Sequence, residues 1–483
     1  MSTRSASTFR VVQAHVHLDD PHICNDDSDS LAIQAALYES LVARVDASSF
    51  APALATDWTV SDDARTWTFA LRPDVRAHDG THLTAADVVA SLERVRDPRL
   101  GGRLGTEGVY ASYLEGARYR IEEHDSGESV RIELGRPIAD LLDLIVDFPI
   151  VPSQAHERFA TAPVGTGRYR FARASEHEVV LDRFEDHWSG TSAHEQVVFR
   201  SEPDAAARVE AVRSGRADVA SALTPALAEA AEGAPNVRIV SQPASMCAVF
   251  FFALHDRDAP SPVRDVRVRR ALHHATDVDA IVRTALHGRA RRLSGPFTER
   301  HLAHDAQVPP YAWDQARARA LLAEAGHGAG LELTVDVPTR LPDEAMEVAA
   351  MLKRQWAEVG VTLHVVPHDD RPAYADMVRA KKIHDLCCFD SGPISSYRVL
   401  VEKFHSQVRG PWWQGYASAE VDAGIERAAT LPDVDARRRV LRDVYRQLHD
   451  DAPWLYLYSP DKLWLASGRH DDWRPTFQGV TTV

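Results

Sequence analysis

The sequence is poor in lysine and rich in acidic residues. Only five of its 55 lysine and arginine residues are lysines, at positions 353, 381, 382, 403 and 462. The 70 aspartate and glutamate residues leave a formal net charge of −15 at pH 7. Nucleic acid needs a basic face that offsets its phosphates. The charge balance therefore excludes nucleic-acid binding from the expected functions.

Long apolar segments are also missing. No apolar run approaches the roughly 20 residues that a membrane helix requires. The longest run, residues 248–254, is typical of a buried strand. The sequence thus predicts no transmembrane segment.

Cysteine is scarce as well, with four residues at Cys24, Cys247, Cys387 and Cys388. The adjacent pair is poorly placed to form a disulfide, because the resulting ring is strained. We expect no disulfide framework, and free thiols fit a reducing compartment slightly better than an oxidising one.

Catalytic and cofactor motifs are absent from the sequence. It contains no G-x-S-x-G, H-E-x-x-H or C-x-x-C pattern. The Gly165-Thr166-Gly167 turn lacks the third glycine and the strand–helix context of a dinucleotide-binding loop. The sequence therefore marks no catalytic residue and no cofactor, and we expect a protein without chemistry of its own.

Local structure signals are dense between residues 37 and 95. Residues 58–60 and Thr66–Leu71 have the alternation of short strands around a polar turn. Thr84 is a predicted helix N-cap with Asp87 three residues later, in the arrangement of a capping box. Apolar residues then follow at helical spacing up to residue 95.

The order of these signals resembles the opening of the family 5 solute-binding proteins, which are the dipeptide, oligopeptide and nickel receptors of ABC importers. Further segments resemble the same family in the same order, from PVGTGRYRF to the C-terminal helices. These segments are residues 163–171, 184–200, 208–220, 265–282, 311–326 and 416–428. Because six blocks recur in order, we take the resemblance to cover roughly residues 35 to 460.

Strand and helix signals alternate along the chain, which predicts an α/β architecture. The resemblance implies a two-lobe clamshell of the type II periplasmic-binding-protein class with an extra N-terminal subdomain. Lobe I would comprise residues 1–44, 163–243 and 455–483. The subdomain would be 45–162, and lobe II 244–454. In such a shape a ligand stabilises the closed state by bridging the lobes.

The function implied by the resemblance is capture of a small peptide or similar zwitterionic solute for a membrane ABC permease. Receptors of this family are exported, yet residues 1–9 (MSTRSASTF) show no basic start followed by an apolar segment. A periplasmic or cell-surface receptor and a cytoplasmic relative both stay open. The cytoplasmic alternative is an enzyme or carrier in a biosynthetic pathway, and a second alternative is binding of nickel or a metal chelate.

The segment from residue 387 to 416 is the predicted ligand-binding wall. By resemblance, Asp390 would meet the free ammonium group of a peptide ligand, since an unpaired carboxylate in an apolar site selects for a cation. A turn-capping aspartate is the alternative. Arg398, after Tyr397, could hold a ligand carboxylate with its guanidinium fork. The family's usual D-x-x-D-P pattern is replaced here by residues 393–396.

Trp412 and Trp413 complete this predicted wall. Neighbouring residues on a strand point to opposite sides, so one indole is expected to pack in the core. The other could line the ligand site as a flat surface or a cation–π partner. Core packing of both is the alternative.

A second candidate site is N-terminal. On a strand, His15 and His17 would share one face, with His22 and Cys24 close behind. Imidazole and thiolate groups of this kind suit a transition metal, and a solvated strand face is the alternative.

Overall fold

The computed structural model describes residues 8–23, 27–97, 100, 109–125, 127–256, 260–340 and 342–483. Residues 1–7 and Cys24, which bear on the N-terminal predictions, lie outside these ranges. The chain divides into two compact units. Unit 1 comprises residues 1–242 and 462–483, and unit 2 comprises residues 243–461.

Unit 1 contains a mixed sheet, a smaller antiparallel sheet and short helices. Its strands are β1 (Thr8–Gln13), β2 (Val42–Arg44), β3 (Phe50–Pro52), β4 (Ala55–Val60), β5 (Thr66–Leu71), β6 (Arg118–His124), β7 (Gly127–Glu133), β8 (Tyr169–Ser175), β9 (Glu178–Arg183), β10 (Gln196–Ser201), β11 (Val219–Ala220) and β12 (Val237–Pro243). Its helices are α1 (Ser28–Leu37), α2 (Ala85–Arg94), α3 (Val109–Tyr113), α4 (Leu141–Ile145), α5 (Ala205–Arg213) and α6 (Pro225–Ala231).

Unit 2 is a sheet covered by longer helices. Its strands are β13 (Cys247–Phe252), β14 (Ala290–Arg292), β15 (Leu331–Pro338), β16 (Val361–His368), β17 (Leu386–Ser391) and the first part of β18 (Trp454–Ser467). Its helices are α7 (Val266–Ala275), α8 (Val278–Ala285), α9 (Gln315–Glu324), α10 (Ala345–Ala357), α11 (Arg371–Arg379), α12 (Ser396–Lys403), α13 (Ala419–Ala429) and α14 (Val434–Asp451).

The strand orders differ between the units. In unit 2 the order is β16-β15-β17-β13-β18, with β15 parallel to both β16 and β17 and with β13 antiparallel to its neighbours. In unit 1 the order is β18-β11-β1-β10-β9-β8, and β1 runs parallel to β10 and β11. The antiparallel sheet β4-β5-β7-β6 lies within the predicted 45–162 subdomain, whose independence stays a prediction.

The predicted capping box of α2 is confirmed. The Asp87 carboxylate accepts hydrogen bonds from the Thr84 backbone N–H at 3.0 Å and from its hydroxyl at 2.9 Å. It also accepts one from the Ser153 N–H at 2.8 Å. This side chain therefore joins the start of α2 to a distant turn.

The glycines of the GTG turn allow a close approach to α1. A Cβ on Gly165 would lie 2.1 Å from the Leu37 carbonyl oxygen, and one on Gly167 would lie 2.4 Å from that of Ala36. Gly167 N–H donates to the Leu37 carbonyl at 3.0 Å. The turn is a packing motif, in keeping with its exclusion as a nucleotide loop.

The prediction that a strand carries His15 and His17 is wrong. β1 ends at Gln13, and the N–H groups of Ala14 and His15 donate to the Asp29 carboxylate at 2.9 and 3.3 Å. Because these N–H groups bond to a side chain, they cannot continue the sheet ladder.

Candidate ligand-binding residues in unit 2

The pairing of β17 with β13 sets the position of Asp390. Asp390 lies opposite Ala248, and Ser391 lies opposite Cys247. Side chains alternate along a strand, so Asp390 shares its face with Cys388, a member of the large apolar core of unit 2. Ser391 lies on the other face. Asp390 is thus a carboxylate at the end of a largely apolar strand.

Among the described residues the Asp390 side chain has no hydrogen-bond partner, although its charge interacts with that of Lys403. It is partly exposed, and across the described ranges its carboxylate accepts no hydrogen bond and forms no ion pair. Other residues hold the following turn: the Ser245 hydroxyl donates to the Gly392 carbonyl at 2.9 Å, and His301 Nε2 lies 2.9 Å from that of Pro393. The turn-capping alternative therefore lacks a hydrogen bond, and the carboxylate is available to a ligand.

A second carboxylate lies near Asp390 and was missed by the sequence reasoning. Tyr458 of β18 pairs with Ala248 on the side opposite Asp390, and its hydroxyl donates to Glu344 Oε1 at 2.9 Å. Burial, with the Glu344 charge, raises the pKa of Tyr458 well above its usual range. Burial together with the Asp390 and Glu344 charges also raises the pKa of the Cys388 thiol. The Tyr458–Glu344 bond joins residues 114 positions apart, so no local pattern could reveal it.

The other predicted residues of this wall have partners. Arg398 Nε donates to Glu402 Oε1 at 2.8 Å, one helical turn along α12, and the two side chains are 16% and 12% exposed. Tyr397 is buried in the first turn of the same helix. A ligand carboxylate at Arg398 would therefore compete with Glu402.

The two tryptophans differ in exposure. Trp412 is buried, with its ring centroid 4.7 Å from that of Phe389 and the Arg379 guanidinium 5.5 Å from it. Trp413 is partly exposed; its Nε1–H donates to the Tyr416 carbonyl at 2.7 Å, and Arg409 lies 5.1 Å from its ring. Trp413 is the indole of the pair with a face left toward solvent.

The N-terminal histidines do not form a metal-ligand set. His15 and His17 have ring centroids 5.1 Å apart, and His15 Nε2 lies 2.7 Å from the Asp27 carboxylate. His22 is buried elsewhere, with Nε2 2.9 Å from the Pro149 carbonyl and Nδ1 2.9 Å from Arg94 Nη1. Among the residues with described positions, no group of three or more His, Cys, Asp or Glu could hold a metal ion. Both nitrogens of His22 are already engaged, which is why the predicted trio does not assemble.

The cysteines and helices fit the exclusions made from composition. Cys247, Cys387 and Cys388 are free and buried. In the part of the chain that the structure covers, no helix combines the length and apolarity needed to cross a bilayer.

Several known proteins are similar to this chain in sequence and in fold. A family model described as "Bacterial extracellular solute-binding proteins, family 5 Middle" matches residues 49–395. The heme-binding protein A of Haemophilus influenzae is 26% identical over 438 residues, which cover 84% of this chain and 78% of that protein. The dipeptide-binding protein of Escherichia coli is 26% identical over 471 residues, covering 91% and 86%.

A solved structure, that of HbpA2 from Haemophilus parasuis, superposes with a TM-score of 0.86 at 22% identity and covers 98% of both chains. This likeness confirms the predicted α/β fold of the type II periplasmic-binding-protein class. The family model spans more than half of the chain, and its range includes the blocks between residues 163 and 326 on which the resemblance rested. The chain belongs to the family 5 bacterial extracellular solute-binding proteins.

Proposed function

We propose that the protein is the solute receptor of an ABC importer and that it binds a small peptide or a similar zwitterionic solute, with Asp390 contacting the ligand's ammonium group. It would act outside the cytoplasmic membrane and deliver the solute to a membrane permease. The observation that carries the proposal is the Asp390 carboxylate, which forms no hydrogen bond and no ion pair among the described residues.

The surroundings of the Asp390 carboxylate favour a ligand with a cationic group. An ionised carboxylate next to apolar surface is costly without a cation, and the Glu344 carboxylate nearby adds negative charge. An ammonium group has three N–H donors and could bond to a carboxylate there. The dipeptide-binding relative supports a ligand of this kind, although the heme-binding relative is equally similar.

The test is a calorimetric titration with the dipeptide Ala-Ala and its N-acetyl derivative. Asp390→Asn should weaken Ala-Ala binding by about 2–5 kcal/mol, because the ligand ammonium loses its charged partner. Acetylation should weaken binding to the unmodified protein by a similar amount and have little further effect in the variant.

Asp376→Asn is the matched control. Asp376 is an exposed aspartate of unit 2 that pairs with Arg379 one turn away, and its loss should leave affinity unchanged. Unaltered Ala-Ala affinity in Asp390→Asn would remove Asp390 from the site. No binding of dipeptides to the unmodified protein would contradict the peptide assignment itself.

A further inference from the structure

A lysine is buried directly behind the strand that carries Asp390. Lys403 is the last residue of α12, and it follows Val399 and Leu400 at the spacing of the apolar stripe. Only 4% of its surface is exposed. Lysine is among the residue types that are almost never fully buried without a partner.

The Lys403 ammonium group is poorly satisfied. Across the described part of the chain, its one hydrogen bond is to the Asp390 backbone carbonyl, at a long 3.4 Å, and no carboxylate pairs with it. Glu402 is bonded to Arg398 instead. The rings of Trp454 and Phe251, 5.7 and 5.9 Å from Nζ, offer partial cation–π compensation.

Two neighbouring carboxylates act on this group from beyond ion-pair distance. Burial lowers the pKa of Lys403 to about 8, and the Glu402 and Asp390 charges oppose that shift. An ammonium group has three N–H donors, so a buried charge remains with donors that lack acceptors. Such a group is costly to bury unless something compensates it.

A second unsatisfied donor lies on the same side of the sheet. Ser391 is 1% exposed, and within the described ranges its hydroxyl has no hydrogen-bond partner. It pairs with Cys247 across β13 and β17. The Lys403 ammonium group contacts the carbonyl of Asp390, the residue before Ser391, and lies 5.9 Å from the ring of Phe251 on the same strand as Cys247.

We infer that Lys403 and Ser391 form a binding site for a compact monoanion, either the carboxylate of the captured solute or an inorganic ion such as chloride. The first source rests on the proposed function, and the second does not. An anion enclosed here would accept hydrogen bonds from both groups and meet an ammonium charge in a site of low dielectric constant. The cation-binding Asp390 carboxylate would then lie on one face of β17, and the anion would bind on the other face, between Ser391 and Lys403 of α12.

The inorganic source is tested on the protein without ligand. Chloride should raise the thermal unfolding midpoint relative to methanesulfonate at equal ionic strength, since a ligand that binds only the folded state stabilises it. Lys403→Met should abolish this difference and Ser391→Ala should reduce it. Lys353→Met, at an exposed lysine on α10, is the matched control and should retain it.

The carboxylate source is tested by comparing Ala-Ala with its C-terminal amide. Amidation should weaken binding to the unmodified protein at least about tenfold, and the loss should be absent in Lys403→Met. Replacing a buried ion by an apolar side chain of similar volume is often neutral or stabilising, so this variant is expected to fold. If Lys403→Met does not fold, the comparison of Ala-Ala with its amide is made in Ser391→Ala instead.

The outcomes separate the inference from the proposed function. A chloride effect lost in Lys403→Met supports an inorganic anion, and an amide effect lost there supports the ligand carboxylate. If dipeptides bind without regard to terminal carboxylate or to Lys403, and chloride has no effect, the anion site is overturned while the receptor function stands. If no dipeptide binds, the peptide proposal fails and the chloride comparison alone decides the anion site.

Discussion

At the scale of single residues, the side chains that give the sequence its family signature serve the framework. Glu39 accepts a hydrogen bond from Trp188 Nε1 at 3.0 Å, and the Arg72 guanidinium stacks 3.8 Å from that ring. Arg269 is buried in α7. Its guanidinium donates to backbone carbonyls on both sides of the helix, those of Val263, Arg264, Asp451 and Ala452. The contacts of these residues lie within the protein's own framework.

Arg269→Lys should therefore be destabilising even though the charge is kept. Lysine cannot reproduce the planar fork of donors, so several buried carbonyls lose their partner. We expect the free energy of unfolding in urea to fall by about 2–3 kcal/mol. Arg267→Lys, at an exposed pair with Asp265, should change it by less than about 0.5 kcal/mol. Equal effects at the two positions would show that the fork at Arg269 contributes little.

At the scale of elements, the helix starts carry much of the local stability. Asp87 differs from an ordinary cap because it is buried and accepts hydrogen bonds from both Thr84 and Ser153. Asp433, in contrast, caps α14 with a single bond to the Ala436 N–H at 2.7 Å.

Asp87→Ala should cost about 2–3 kcal/mol of unfolding free energy, because it removes a buried carboxylate that holds both the Thr84 and the Ser153 N–H groups. Asp433→Ala, at an exposed cap, should cost about 1 kcal/mol. Urea denaturation of the two variants checks the difference. A loss at Asp87 no greater than that at Asp433 would mean that the Ser153 contact adds nothing.

Sequence reasoning succeeded at this scale where the signal is local. The strand at 66–71 and the cap at Thr84 match the structure, since turn chemistry and periodicity lie within a few residues. It failed beyond Gln13, because the Asp29 carboxylate accepts hydrogen bonds from the N–H groups that would have extended β1. The site was only partly predictable for the same reason. Asp390 came from resemblance, whereas Lys403 looks like one charged residue in an apolar stripe until the structure shows that it is buried and forms no ion pair within the described residues.

At the scale of the whole molecule, buried neutral histidines couple stability to pH. Burial lowers the pKa of His22 and His78 to about 4 and that of His273 to about 3. In the unfolded chain these side chains titrate near 6.5. As pH falls below about 6.5, these histidines become protonated in the unfolded state but stay neutral in the folded state. Each of them therefore lowers the free energy of unfolding by up to about 1.4 kcal/mol per pH unit.

The contribution of His273 can be isolated. Its Nε2 lies 3.0 Å from the Trp454 carbonyl, and glutamine could keep a donor there without titrating. His273→Gln should flatten the fall in urea stability between about pH 6.5 and pH 5 by up to about 2 kcal/mol. An unaltered slope in His273→Gln would mean that this histidine is not held neutral.

The course of β18 has a consequence for synthesis. Its first part pairs with β13 in unit 2, and its last residues pair with β11 in unit 1. Each sheet therefore lacks a strand until residues 454–467 have left the ribosome. Until then the exposed edges of β13 and β11 are open to mispairing. Both sheets thus depend on the synthesis of one strand for their completion.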